Sequence, residues 1–521
     1  MPRNSVSAII LATRVARMSD LTTPPPPSRR AIRIACAAAF ALSAFYALSI
    51  PGAAGEAFSL RYLAQSMWDD HRLSVNEFAA KGWLDDHSRN GDNVFVHWPP
   101  GPAIFGLPFY VVGRVADGAP ATDLPLLIGG EASRTLALFF SACAGGCVAL
   151  LFFVMGRFCA SPWIRLILCA VFAVGFYTWP LASIYSRHVP TAMLILVALW
   201  GALRVRERVD DVWALRASLF AAGLLPLFDY SAIIITPVLV LLARPGWRNA
   251  RANRALAWPI SLLLIGPVLL GAYNTACFGA PWVTSYARSV QHDWARHLSS
   301  TFTGSVAEGL RFLLFNRGPI PESIIARTGF PPAFLAHYRA ANFTGLLIVA
   351  PILFLAFPGF ALGLKDRETR AAFAALTAVV VPTMLLMSAH RTLFGGASFS
   401  PRYIYHITPP LFVAAAYALG RLGRWPSVGK PLFWVAFISL VAFALPDALR
   451  NGARAIMGVS ARTARIFGAG ESGWPSLLFA NAGHMALALA VLAATWLCVY
   501  AMVIRLFVPA TPARGENATG A

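Results

Sequence analysis

The 521-residue sequence is poor in charge. Charged residues make up 13% of it, where a soluble domain carries about a quarter. That deficit runs along the whole length and excludes an ordinary water-facing enzyme. Lysine is nearly missing: Lys81, Lys365 and Lys430 are the three among 43 basic residues, and the other forty are Arg. Acids are also scarce, 23 in all, so the net charge is +20. The arginines are not gathered on one segment, which excludes a nucleic-acid face. They sit between apolar stretches, as topology signals do. Paired cysteines are missing too. Cys36, Cys143, Cys147, Cys159, Cys169, Cys277 and Cys498 lie within or beside apolar stretches. They show neither zinc-ligand spacing nor a disulfide framework, and read as small buried hydrophobes.

What is present instead is hydrocarbon, at 57% of residues. One membrane crossing needs about 20 apolar residues. Stretches at or near that length run over 31–50, 134–156, 161–182, 188–206, 215–228, 229–243, 256–277, 343–364, 371–389, 404–420, 431–449 and 479–507. The expected fold is an all-α polytopic membrane protein with about 12 transmembrane helices, within a range of about 10 to 13. Residues 1–30 read as a disordered basic cytoplasmic tail and 509–521 as a second disordered tail.

The short basic loops Arg157 to Arg165, Arg204 to Arg216, Arg244 to Arg254, Lys365 to Arg370 and Arg421 to Lys430 fix the orientation. All five fall in the cytoplasm if the N-terminus is inside and the short stretch 102–116 lies on the outer face without crossing. The outer segments are then 51–133, the turn at Arg187-His188, 278–342, and His390 to Tyr403, with Asp229 at an outer turn. The outer loop 450–478 carries four arginines against this rule, which makes the last two spans the least secure. Polar groups gather on one side. A transporter would more readily place them at mid-bilayer.

The first outer loop is the richest in chemistry. It holds Glu56, Asp69, Asp70, His71, Asp85, Asp86, His87 and Asp92. Glu56 follows the first span and precedes an amphipathic segment, Leu60 to Trp68, spaced to lie on the bilayer surface. A carboxylate beside the interface is suited to general-base work, or is a solvated loop acid. Asp69-Asp70-His71 and Asp85-Asp86-His87 are solvated turns, or oxygen and imidazole ligands for a divalent cation. His97-Trp98-Pro99-Pro100-Gly101-Pro102 is a rigid, extended entry to the next apolar stretch. Arg402, in Gly395 to Tyr403, stands where a phosphate headgroup would lie, and Arg binds phosphate through two parallel hydrogen bonds. Arg317, in Asn316-Arg317-Gly318, is a second phosphate candidate. His188 and Asp229 share the outer side with Glu56, and so suggest a common cavity.

Taken in order, these motifs resemble the GT-C class of membrane glycosyltransferases, in particular the bacterial family-39, protein-mannosyltransferase-like and aminoarabinose-transferase-like proteins. The matching stretches are Gly55-Glu56, Tyr62-Leu63-Ala64-Gln65-Ser66, Asp69-Asp70, His97 to Pro102, Ser186 to Pro190, Phe228-Asp229-Tyr230, Asn274 to Gly279, Phe315 to Gly318 and Gly395 to Tyr403. The resemblance covers roughly residues 30 to 420. It implies a transmembrane catalytic module over 31–421, followed by C-terminal transmembrane helices over 422–508. It also implies a bacterial inner-membrane enzyme that moves a sugar from a polyprenyl-phosphate donor to a glycan, lipid or protein acceptor on the periplasmic face. Membrane lipids are further partners, and nucleic acid is not. The implied base is Glu56. The family usually carries Asp there, often followed by Glu, whereas this chain has Glu56-Ala57. That departure keeps Asp69 and Asp70 as candidates for the working acid. Arg402 and Arg317 are then donor-phosphate contacts, and His97, Pro99, Pro100, His188, Asp229 and Tyr403 line the substrate cavity. No cofactor is implied beyond a divalent cation as an open option. The rival readings are a lipid-linked sugar flippase or transporter, and an O-antigen ligase or polymerase.

Overall fold

The structure, a computed structural model, describes residues 29–48, 56–81, 84, 86–117, 131–174, 176–183, 185–252, 257–329, 339, 342–393, 402–422 and 482–507. The expected span 431–449, the loop 450–478, residues 1–28 and 508–521, and the Gly395 to Ser400 part of the outer motif lie outside these.

Helices dominate the described residues. In chain order the principal elements are α1 (Arg29–Leu48), α2 (Glu56–Asp69), β1 (His87–Asn90), β2 (Asn93–Val96), α3 (Gly101–Asp117), α4 (Glu131–Met155), α5 (Pro162–Ala173), α6 (His188–Glu207), α7 (Val212–Phe228), α8 (Ala257–Phe278), α9 (Arg370–Ala389), α10 (Thr408–Leu422) and α11 (Ala482–Phe507). Among the described residues, five helices are long and apolar enough to cross a membrane, and a sixth span arises if the bent pair Tyr230–Leu242 and Arg244–Ala250 counts as one. The chain is a multi-pass helical membrane protein. Among the described residues, several of the expected spans are not helices of full length, because proline cuts the apolar stretch.

Three stretches show this. The expected span 161–182 stops at Ala173 and resumes as a short helix at Thr178–Ser183, with Pro180 in its first turn. The stretch 343–364 begins as a strand at Asn342–Thr344, passes through a 3-10 turn at Pro351–Leu355, and becomes helical at Ala356–Lys365. The stretch 404–420 opens with a 3-10 segment, Arg402–Ile407, before α10 starts at Thr408. Pro409 and Pro410 lack N–H groups, which is tolerated in the first turn of an α-helix and not in its interior.

Helix α6 is the centre, buried along nearly its whole length. It packs on α4 and α7 and against the 402–407 segment. Helix α8 is mostly unburied and turns Trp258, Leu264, Val268 and Leu269 outward. An apolar face without protein cover on so long a helix is suited to lipid. Backbone contact joins α7 and α8: a Cβ on Gly266 would lie 2.0 Å from the Gly223 carbonyl oxygen. Small residues at a helix crossing allow this approach.

The segment between α1 and α3 contains a hairpin and a helix. Strands β1 and β2 form an antiparallel hairpin, Asn90 opposite Asn93, closed by Gly91-Asp92 with Gly91 at φ 59°. A two-residue hairpin turn favours such a positive-φ glycine. Helix α2 buries Leu60, Tyr62, Leu63 and Ala64 and lies against α3 and β2. It is covered by protein on more faces than an amphipathic surface helix requires.

Candidate functional site

The site is assembled from six separate segments, each delivered by the end of an element. The β2–α3 connection brings His97 and Trp98. Its direction is set at Gly101, where a Cβ would lie 2.5 Å from the Leu227 carbonyl oxygen. The start of α3 is thereby pressed against the end of α7, next to Asp229. Pro99 and Pro100 are buried in this connection.

Asp229 follows α7 directly and is buried. Its Oδ1 accepts hydrogen bonds from the Ser231 amide at 3.0 Å and the Ser231 hydroxyl at 2.7 Å. Its Oδ2 lies 3.0 Å from His188 Nδ1 and 3.6 Å from Arg187 Nε. Arg187 and His188 begin α6, and both are buried. The Arg187 guanidinium also rests on the face of Trp98, 4.1 Å from the ring centre, a favourable cation–π geometry.

Tyr403 and His406 come from the 3-10 segment ahead of α10. Their contact with the α6 end is direct: the His188 ring lies 5.8 Å from Tyr403 and 5.9 Å from His406, the latter stacked at 17°. Among the described residues, His188, Asp229 and His406 form a group whose nitrogen and oxygen atoms all come within 4.8 Å of one another.

The loop after α8 supplies the opposite wall. Tyr286 stacks on His97 at 4.5 Å. The Ser285 hydroxyl donates to the His97 carbonyl oxygen at 2.6 Å, and the Ser88 hydroxyl donates to the Ser285 carbonyl at 2.7 Å. His292 Nε2 lies 2.9 Å from Asp86 Oδ1, and its ring approaches His97 at 5.8 Å and Trp294 at 5.2 Å. Trp294 meets His390 at 5.6 Å, and His390 meets Tyr403 at 5.2 Å. The contacts thus close on themselves. They run from His292 through His97, Trp98, Arg187, Asp229, His188, Tyr403, His390 and Trp294 back to His292.

Burial shapes the ionisation of the groups outside the long helices. It pushes His97 down to about 3 and His390 down to about 4, helped there by the nearby Arg187 charge. Both imidazoles are neutral at physiological pH. Burial alone would raise the Asp86 carboxyl. The hydrogen bond and charge of His292, with Arg402 behind it, outweigh that and hold it below its usual range.

The expected residues fall into three places. His97, Pro99, Pro100, His188, Asp229 and Tyr403 belong to this assembly. Arg402 adjoins it: its guanidinium lies 5.6 Å from the Tyr403 ring centre, and its charge acts on Asp86. Arg317 is on an exposed strand position opposite Thr344. Asp69 accepts from Tyr110 at 2.8 Å and from Arg114 Nε at 2.9 Å, which ties α2 to α3. Asp70 is exposed, and partial burial with the charges of Glu77 and Asp69 raises its carboxyl. Glu56 is the first residue of α2, and its side chain lies outside the described residues.

The sequence does not single out Tyr286, His292 or His406. His406 carried a signal, an imidazole at the mouth of an otherwise apolar stretch. His292 carried none, because its partner Asp86 is 206 residues away.

No family model matches this chain, and no curated protein matches it in sequence. Two solved structures are similar over most of its length. The crystal structure of ArnT from Cupriavidus metallidurans bound to undecaprenyl phosphate aligns with a TM-score of 0.47 at 14% identity, over 91% of this chain and 79% of that one. The same protein in the apo state gives 0.41 at 14% identity, over 90% of this chain and 77% of that one. ArnT is an aminoarabinose transferase, the kind of protein that the sequence motifs resemble.

Proposed function

We propose that this chain is a membrane glycosyltransferase of the bacterial inner membrane, with its N-terminus in the cytoplasm. It moves a sugar from a polyprenyl-phosphate donor to a hydroxyl of a lipid, glycan or protein acceptor on the periplasmic face. One observation carries the reading. Segments that the arginine pattern assigns to the outer side, far apart in sequence, meet around the buried Arg187 and Asp229, with Arg402 adjoining. Arginine beside a water-poor, aromatic-walled site is suited to the phosphate of a lipid-linked donor.

In this reading the acceptor oxygen attacks the anomeric carbon as Glu56 takes its proton. The bond from that carbon to the phosphate oxygen breaks, and the lipid phosphate leaves with the electron pair. Its charge is held by Arg402 and Arg187, with Arg317 as an outer contact. Displacement in one step inverts the anomeric configuration. His97, Tyr286 and Tyr403 supply the wall for the sugar, and Pro99 and Pro100 keep that wall rigid. The two donors on Asp69 make it a tie between α2 and α3, which leaves Glu56 as the preferred base.

The test is incubation of the purified chain in detergent with a labelled polyprenyl-phosphate sugar and a mixed glycolipid acceptor fraction. Label should pass to the acceptor with inverted configuration. Retained configuration rules out the single displacement. Lipid movement across vesicles without transfer identifies a flippase, and transfer only from a diphosphate donor identifies a ligase or polymerase.

A further inference from the structure

We infer that His188, Asp229 and His406 form a binding site for one divalent transition-metal ion, zinc foremost. Two imidazoles and one carboxylate are a donor set for such ions, with a fourth position left open. The inference does not depend on the proposed sugar transfer.

The geometry is near what a tetrahedral ion needs. Metal–ligand bonds of about 2.0–2.1 Å place neighbouring ligand atoms roughly 3.3 Å apart. His188 Nδ1 and Asp229 Oδ2 are already 3.0 Å apart, and the whole group lies within 4.8 Å. A second observation is independent of that distance. His406 is fully buried, and among the described residues neither of its ring nitrogens has a hydrogen-bond partner. Leaving a buried polar atom without a partner is costly, so an imidazole left bare beside a carboxylate calls for a ligand.

The surrounding contacts orient the carboxylate. Ser231 occupies Oδ1 through both its amide and its hydroxyl, which leaves Oδ2 facing the imidazoles. Such outer hydrogen bonds fix ligand direction at metal sites. Arg187 Nε stands 3.6 Å from Oδ2, beyond hydrogen-bond reach, and its guanidinium is held on the Trp98 face. It shares the carboxylate's charge without taking the lone pair. Ion and Arg187 together carry more positive charge than Asp229 offsets, so the open position takes hydroxide or another anion.

The three ligands come from the α6 start, the turn after α7 and the segment before α10. The ion would therefore staple three elements that are distant in sequence.

The test uses the full-length chain in detergent, its affinity tag removed, stripped with EDTA and titrated with Co2+ and then Zn2+. About one Co2+ per chain should bind, with the visible bands of a four-coordinate site, and Zn2+ should displace it. His406→Ala should weaken binding by about 10-fold or more. His406→Cys should retain binding and add a sulfur-to-cobalt charge-transfer band, which guards against loss through misfolding. The proposal is overturned if the stripped wild type takes up neither ion, or if the cobalt spectrum is unchanged in His406→Ala or gains no new band in His406→Cys.

Discussion

Gly101 is pressed against Leu227: the hydrogen it carries in place of a side chain points at that carbonyl, and a Cβ would lie 2.5 Å from the oxygen. This one contact couples the His97-Trp98 connection to the Asp229 turn. Gly101→Ala should therefore destabilise the protein by about 1–3 kcal/mol, the usual cost of overpacking. Sugar transfer should fall by more than the fraction unfolded explains. Thermal unfolding in detergent alongside initial rates separates the two effects.

Asp69, Tyr110 and Arg114 give a second prediction. Tyr110→Phe removes one hydrogen bond from a partly buried carboxylate and should cost about 1 kcal/mol. Asp69→Asn should cost about 1–3 kcal/mol, because Arg114 loses its charge partner. Neither should reduce the rate per folded molecule more than a few fold. An Asp69→Asn variant that melts like the wild type yet transfers no sugar would move the base from Glu56 to Asp69.

The buried imidazoles set a pH dependence. His97 and His390 are held near 3 and 4, below their ordinary 6.5. Between those values and about 6.5 the unfolded chain binds more protons than the folded one, so stability rises with pH across that window. The stabilisation from neutral His97 and His390 is fully present above about pH 6.5 and is lost on acidification towards 4. Each proton mismatch changes stability by about 1.4 kcal/mol per pH unit. Melting temperatures from pH 7 to pH 4.5 should fall steeply in the wild type and less steeply in His97→Gln. Equal slopes would remove His97 from the account.

Sidedness is open to direct labelling. In a cysteine-free background, a cysteine placed at Asp92, in the hairpin turn, should react with a membrane-impermeant maleimide added to intact spheroplasts. A cysteine at Arg208, after α6, should react only once the membrane is opened. The reverse pattern would invert the arginine-based topology.

The sequence made the straight spans legible because periodicity and length act locally. The stretch 188–206 is α6, His188–Glu207, and 256–277 is α8, Ala257–Phe278. It overstated continuity where proline intervenes, as at Pro180, Pro351 and Pro409-Pro410. The hairpin at 87–96 was hidden because its two strands are four residues each, too short for an alternation to stand out among acids and asparagines. His188 and Asp229 were readable as polar groups on one side of the membrane. The pairing of Asp229 with Arg187, and of Arg187 with Trp98, was not, because it depends on packing between distant segments. The Asp86–His292 pair is the same kind of case.

The most direct measurement of the central claim compares wild type with Glu56→Gln for sugar transfer from a labelled polyprenyl-phosphate donor, at matched melting temperature. General-base catalysis contributes about 10²–10⁴-fold. The account predicts inverted product from the wild type and a loss of about 100-fold or more in the variant. Full-rate transfer by Glu56→Gln, or no transfer by wild-type protein that moves the intact lipid across vesicles, would contradict it.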